Sequence, residues 1–265
     1  MTVLRATIDG IGLLGPGLAG WKAGREALTG ALPYASLPTE FPVAGSLPPS
    51  ERRRASRATK LVLALGHEAI DAAGLEASAM ATVFTSSAGD GYNCHEICQM
   101  LASSDRQLSP TRFHNSVHNA PAGYWSIASG SMAPSSVICA YDASFSAGLL
   151  EALALVAATG APCTLIAYDT DYPEPIRAVR PLPDSFGIAL VLGARPGARS
   201  IAQIKVGFTA ALPTTLDDPA QEQLRRDIPA ARGLPLLRAL AQGTASSVVI
   251  EYLDQRALAI DIAPC

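Results

Sequence analysis

The sequence predicts an α/β protein, and three observations predict it. Of 265 residues, 49% are apolar and 16% charged, a balance that suits a large buried core. Aromatics make up only 6% beside abundant Ala, Leu and Gly, which favours close packing of helices on a sheet. The third observation is the stretch Ser109 to Leu155: a polar approach, an amphipathic segment from Ser116 to Ala128, a β-rich run Ser136 to Ala140, a tight polar turn, and a long apolar helix from about Phe145. A strand turning sharply into a buried helix holds the first residues of that helix at the bottom of a pocket, beside free backbone N–H groups. Nucleophiles are commonly placed on such turns. Here the turn reads Ala140-Tyr141-Asp142-Ala143-Ser144, with no cysteine at its apex.

The length allows one large core or two small ones. No run of eighteen uncharged apolar residues occurs, and Met1 to Gly20 lacks the basic start and cleavage pattern of a signal peptide. The expectation is a cytoplasmic protein with its five cysteines reduced and no membrane insertion. A net charge of −3 gives no reason to expect nucleic acid as a partner.

In chain order, Thr2 to Gly17 begins as an alternating strand and ends in glycines and a proline, hence strand then loop. Trp21 to Ala27 suits a short helix, and Ala31 to Ser50, with five prolines, an irregular excursion. Glu51 to Gly74 reads as one helix, with Leu61, Leu65 and Ala69 on a face and Gly74 as its stop. It carries the basic run Arg52, Arg53, Arg54, Arg57 and Lys60, and such runs ordinarily mark solvated faces. His67 reads as a packed or surface side chain. Ala81 to Ser86 is a buried strand. Cys94 and Cys98 share a helical face; without a second cysteine pair they read as buried packing thiols, and no metal site is assigned.

His114 and His118 fall on one face if their segment is helical, as a metal site or acid/base pair would need, but no H-E-x-x-H carboxylate accompanies them. Phe145 to Thr159 is apolar nearly all round and is expected to be buried on most sides. Ala161 to Asp169 is a buried strand that completes a βαβ crossover from Ser136. Beyond it stand a strand Ile188 to Gly193, a strand Ile201 to Val206, an irregular stretch through Pro229, a helix Leu234 to Ala241, and closing strands Ser247 to Tyr252 and Ala257 to Ile262.

Ser109-Pro110, Asn119, Ala122, Gly123, Ser126 and Ile127, then Ala133-Pro134-Ser135 resemble the S-P, N-x-x-A-G-x-x-S-I and G-P-S elements that precede the catalytic cysteine of β-ketoacyl synthases. The opening G-x-G of Gly10 to Gly12, the run Asp71 to Leu75, and Arg180-Pro181 are weaker likenesses to the same family. The resemblance implies a thiolase-like layered α-β-α fold. Residues 1-195 would keep the N-terminal half, and 196-265, about seventy residues, would be a shortened C-terminal remnant packed on the same core. Aligned on the family pattern, the nucleophile falls on Asp142 without a gap or on Tyr141 with one, while Cys139 lies too early. No histidine follows His118, so the family's two distal histidines have no counterpart.

Decarboxylative condensation needs a thiolate to carry the acyl chain, donors for the oxyanion and imidazoles for the enolate. The resemblance therefore implies a chain with no catalytic residues of its own and no cofactor. It is most similar to short ketosynthase-like proteins of aryl polyene pigment pathways, such as xanthomonadin and flexirubin. As with the chain-length factors of type II polyketide systems, it would pair with an active ketosynthase as a heterodimer. Phe113, His114, Val117, His118 and Asn119 would then lie at the partner interface and acyl tunnel. Arg52, Arg53, Arg54, Arg57 and Lys60 would be candidates to meet an acyl carrier protein and its phosphopantetheine-bound chain. Two alternatives stand beside this: an acyl-thioester hydrolase or dehydratase using Asp142 with His114 or His118, and a stand-alone acyl or carrier-protein binding module.

Overall fold

A computed structural model describes residues 3–265. Strand β1 (Leu4–Gly15) is followed by the short β2 (Leu18–Ala19) and helix α1 (Trp21–Thr29). The proline-rich stretch stays irregular until α2 (Pro49–Arg54) and α3 (Arg57–Ala73). The single helix expected over Glu51 to Gly74 is thus broken. Ala55 is extended, and Ser56 restarts the helix by accepting a hydrogen bond from the Thr59 N–H at its hydroxyl (3.3 Å). Such a cap stabilises a helix start by about 1 kcal/mol. The G-x-G of β1 has a packing reason: a Cβ at Gly10 or Gly12 would collide with the Ala69 or Leu65 carbonyl of α3.

Next come β3 (Ala81–Thr85), α4 (Gly91–Ala102), α5 (Pro110–His114), α6 (Ala120–Ser129), β4 (Ser135–Ile138) and α7 (Ser144–Thr159), entered through a 3-10 turn at Tyr141–Ala143. Then follow β5 (Cys163–Asp169), α8 (Ile176–Val179), β6 (Phe186–Gly193) and β7 (Ala202–Thr209). The chain closes with α9 (Pro219–Asp227), α10 (Leu234–Gln242), β8 (Ser246–Leu253) and β9 (Arg256–Pro264). Helix α9 lies in a stretch expected to be irregular. It is too polar to show an apolar stripe, and it is set by Pro219 at its first position and by Asp218, whose carboxylate accepts from the Ala220 and Gln221 N–H groups (2.9 and 3.0 Å).

The strands form one sheet in the order β4-β3-β5-β6-β1-β7-β9-β8, with β2 beside β1. β3 runs parallel to both β4 and β5, so the β4-α7-β5 connection crosses over β3. All other pairings are antiparallel. β1 joins two parts of the sheet: Leu4 to Ile8 pair with β7, and Thr7 to Leu14 with β6.

Central strands are buried on both faces, so they read as continuous apolar runs. Leu165 and Leu190 face one layer with Phe145, Leu149 and Leu153 of α7 and Leu237 of α10. Ile166, Tyr168 and Val191 face the other, with Leu61 and Leu65 of α3 and Trp125 of α6. The result is α-β-α layering. Helix α7 departs from expectation: about half of it is buried, not most sides. Ala154, Ala157, Ala158 and Thr159 are exposed, and small side chains there leave little apolar surface to cover. Trp125 fits against α3 only because Gly66 has no side chain there.

Candidate functional site

The turn after β4 is conformationally strained. Tyr141 has φ 51, a left-handed conformation unusual for a residue with a Cβ. Two bonds of Ser144 hold it: the hydroxyl donates to the Tyr141 carbonyl (2.7 Å) and accepts from the Ala140 N–H (3.1 Å). The Tyr141 ring is 60% exposed, and the Arg180 guanidinium lies 3.7 Å from its centroid. Asp142 accepts from Arg180 at 2.8 Å and pairs with Arg232 at 3.3 Å.

The charges continue beyond it. Arg232 also pairs with Glu251 (2.8 Å), Glu251 with Arg225 (3.2 Å), and Arg225 with Glu222 (2.7 Å). Three carboxylates and three guanidinium groups alternate. The Arg225 guanidinium holds the Glu222 carboxyl below its ordinary range. Tyr141, Asp142, Arg232 and Glu251 line an open cleft of about 800 Å³, rimmed by Leu212 and Leu253. Neither His114 nor His118 is among the partners of Asp142, so the structure does not assemble the acid/base pair considered from the sequence. Cys139 lies just past β4, and its thiol donates to the Ser87 carbonyl (3.0 Å).

A second cavity lies at the α5–α6 corner. Ser109 caps α5, accepting from the Arg112 N–H, with Pro110 behind it. Because α5 ends at His114 and α6 begins at Ala120, the two histidines do not share a helix face. The His114 ring meets Tyr124 edge-on at 5.9 Å. Phe113 and Val117 are 65% and 53% exposed, His118 is half-buried, and Asn119 is exposed at the start of α6.

Phe113, Val117 and His118 converge on a largely apolar cavity of about 350 Å³, together with Cys94, Ile97 and Cys98 of α4, and Tyr168 of β5. The two cysteines are exposed rather than core thiols, because α4 is a surface helix packed chiefly on α5. Burial raises the Cys94 thiol above its ordinary value, and the neighbouring Cys98 adds to this. Tyr168 is 0% exposed, and burial pushes its hydroxyl up. Neither its hydroxyl nor His118 Nε2 has a hydrogen-bond partner. Sequence reasoning missed Tyr168, since a tyrosine in an apolar strand reads as core.

The next residue, Asp169, is buried and takes hydrogen bonds from the Ser87 N–H and hydroxyl (2.8 and 2.7 Å), the Ser86 hydroxyl (3.3 Å) and the Ala230 N–H (2.8 Å). Burial pushes its carboxyl up, and these donors oppose the shift.

The basic run does not act as one patch. Arg52 donates to the Gly45 and Leu47 carbonyls (both 3.0 Å), and Arg54 pairs with Glu51. Arg57 pairs with Asp171 at 2.6 Å and lies over the Phe41 and Tyr92 rings. Arg53 is exposed, and Lys60 is half-buried. Arg53, Arg54, Arg57 and Arg112, the last not singled out from sequence, line a cleft of about 380 Å³. This cleft shares Ser56, Asp90 and Asn115 with the apolar cavity. Among the described residues no group of three or more His, Cys, Asp or Glu side chains is placed to hold a metal.

The family described as β-ketoacyl synthase, N-terminal domain, matches residues 29–255. No curated protein matches the sequence. Among solved structures, a chain of a ketosynthase in complex with its chain length factor from Xenorhabdus doucetiae superposes with a TM-score of 0.75 at 24% identity, covering 97% of this chain and 99% of that one. A chain of the ishigamide ketosynthase/chain length factor gives 0.74 at 14% identity, covering 98% and 99%. A chain of a structure of a type II polyketide acyl-carrier protein in complex with its ketosynthase gives 0.74 at 12%, covering 100% of both. At such identities these likenesses establish the fold, and it is the layered thiolase-like fold expected from the sequence.

Proposed function

We infer the function from one premise: the chain belongs to the family of β-ketoacyl synthase N-terminal domains. We propose that it is a non-catalytic, chain-length-factor-like subunit that pairs with an active ketosynthase in type II polyketide assembly of the aryl polyene kind and shapes the acyl tunnel. The carrying observation is the convergence of Phe113, Val117 and His118 on one apolar cavity. An acyl chain growing on a partner's thiolate needs an apolar space of this kind, and its depth limits the length.

Two further features support the reading. Asp142, at the nucleophile turn, is held by Arg180 and Arg232, so it is neither free to attack a thioester nor beside a histidine that would activate it. The edge strand β4 is partly exposed and pairs on one side only, with exposed Met132 (97%) and Ile127 shortly before it in sequence. An open strand edge beside apolar side chains suits a partner's surface. The cleft lined by Arg53, Arg54 and Arg112, opening beside the cavity, is where we place an acidic carrier protein and its phosphate-bearing arm. The altered-enzyme alternative is left without its acid/base pair.

The test is co-expression with the ketosynthase encoded nearest in the genome, followed by size-exclusion chromatography and a condensation assay with and without this chain. We expect co-elution at equal stoichiometry and condensation that requires both chains. A separate monomer, with condensation proceeding in its absence, would overturn the proposal.

A further inference from the structure

Resting on the chain-length reading, we infer that the apolar cavity receives the far end of an acyl chain bearing a neutral hydrogen-bonding group, a hydroxyl or carbonyl, rather than a plain methyl end. Buried polar groups are nearly always hydrogen-bonded, and one without a partner is a cost that apolar substitution would remove. The Tyr168 hydroxyl and His118 Nε2 both belong to residues lining this cavity, and neither has a partner. Asn115 Oδ1, at the end shared with the basic cleft, has none either. Thr164 Oγ1 and Trp125 Nε1, also unpartnered, belong to residues that border neither cavity, and the unpartnered Arg232 Nε belongs to a guanidinium already paired with Asp142 and Glu251.

Nearby polar groups do not use the tyrosine. Asp169 is taken by Ser86, Ser87 and Ala230, and Asn93 donates to the Arg112 carbonyl (2.9 Å). A phenylalanine at 168 would keep the packing in β5 without the stranded hydroxyl. A tyrosine hydroxyl both donates and accepts, and an imidazole nitrogen does either according to tautomer, so together they fit a hydroxyl or a carbonyl. A charged end is disfavoured: the ionised side chain lining the cavity is Asp90, already the cap of α4 through the Asn93 N–H (3.0 Å). A volume of about 350 Å³ lies at the lower end of what small-ligand sites need, about 300–1,000 Å³.

Calorimetric titration of the purified chain, alone and with its partner, would compare two probes: ten-carbon acyl thioesters of N-acetylcysteamine, one ending in a methyl and the other in a hydroxyl. We expect the hydroxyl-ended probe to bind about tenfold more tightly, and Tyr168→Phe to bring the two within about twofold. Should Tyr168→Phe fail to fold, His118→Leu on the turn provides the same comparison. Equal affinities in the unaltered protein, no binding of either probe, or a preference that survives both substitutions would overturn the inference. The two readings fail separately. A ketosynthase complex without end-group preference sinks this inference alone, whereas preference without a complex sinks the chain-length role and leaves the site.

Discussion

The two cavities beside residues 113–144 differ in what they leave unpaired. In the cleft at Asp142 six charges pair in alternation, from Arg180 through Asp142, Arg232 and Glu251 to Arg225 and Glu222. In the cavity at His118 the lining is mostly apolar, and the Tyr168 hydroxyl and His118 Nε2 are left over. Saturated polar groups hold a fold in place, whereas unsaturated ones at a cavity wall await a ligand. On the proposed reading, the turn at Asp142 acts as a fastening and recognition belongs to the α5–α6 corner.

The contrast breaks most visibly at Asp169. Its neighbour Tyr168 lines the apolar cavity, and its partner Ala230 stands two residues before Arg232 of the charged cleft. Asp169→Ala strands two backbone N–H groups and two hydroxyls, and we expect a loss on the order of 3 kcal/mol in urea unfolding. A loss under 0.5 kcal/mol would show that these donors find other partners.

Arg232→Ala tests the cleft alone. The pairs are partly exposed, so we expect about 1 kcal/mol, shrinking in molar salt. Acid should erase the contribution of the neighbouring Arg225–Glu222 pair. Glu222 is held below its unfolded value of 4.5, so its stabilisation is complete above that pH and is lost as pH falls through the lower folded value. The gap between an Arg225→Ala variant and the parent in urea unfolding should therefore be wider at pH 7 than at pH 3; a constant gap would mean that Glu222 does not depend on Arg225.

The smallest stability effect is expected in the apolar cavity. Cys98→Phe fills space from an exposed position, so stability should stay within about 0.5 kcal/mol while the complex makes shorter products, as read by mass spectrometry. An unchanged length distribution would place the tunnel elsewhere.

Most of the sheet was legible because its strands are buried on both faces and read as apolar runs: Ala81 to Ser86, Ala161 to Asp169 and Ile188 to Gly193 lie within two residues of β3, β5 and β6. Polar elements were not legible in the same way. Helix α9 has no apolar stripe, and the break at Ala55–Ser56 depends on one serine cap within a helix-favouring run. The turn at Asp142 was visible by motif, but its clasp was not, because Arg232 is ninety residues away along the chain and carries no local signal. Tyr168 was hidden for the opposite reason: its sequence context is that of core, and only the cavity beside it makes its hydroxyl conspicuous.

Strand β1 gives its first half to β7 and its second to β6. Cutting the peptide between Gly193 and Ala202 therefore severs the chain without severing the sheet. The pieces remain one particle, sutured along β1 and by Asp169 reaching the Ala230 N–H. That loop is accordingly a natural seam for a split protein, whose halves would reassemble by adding β7 to the bare edge of β1.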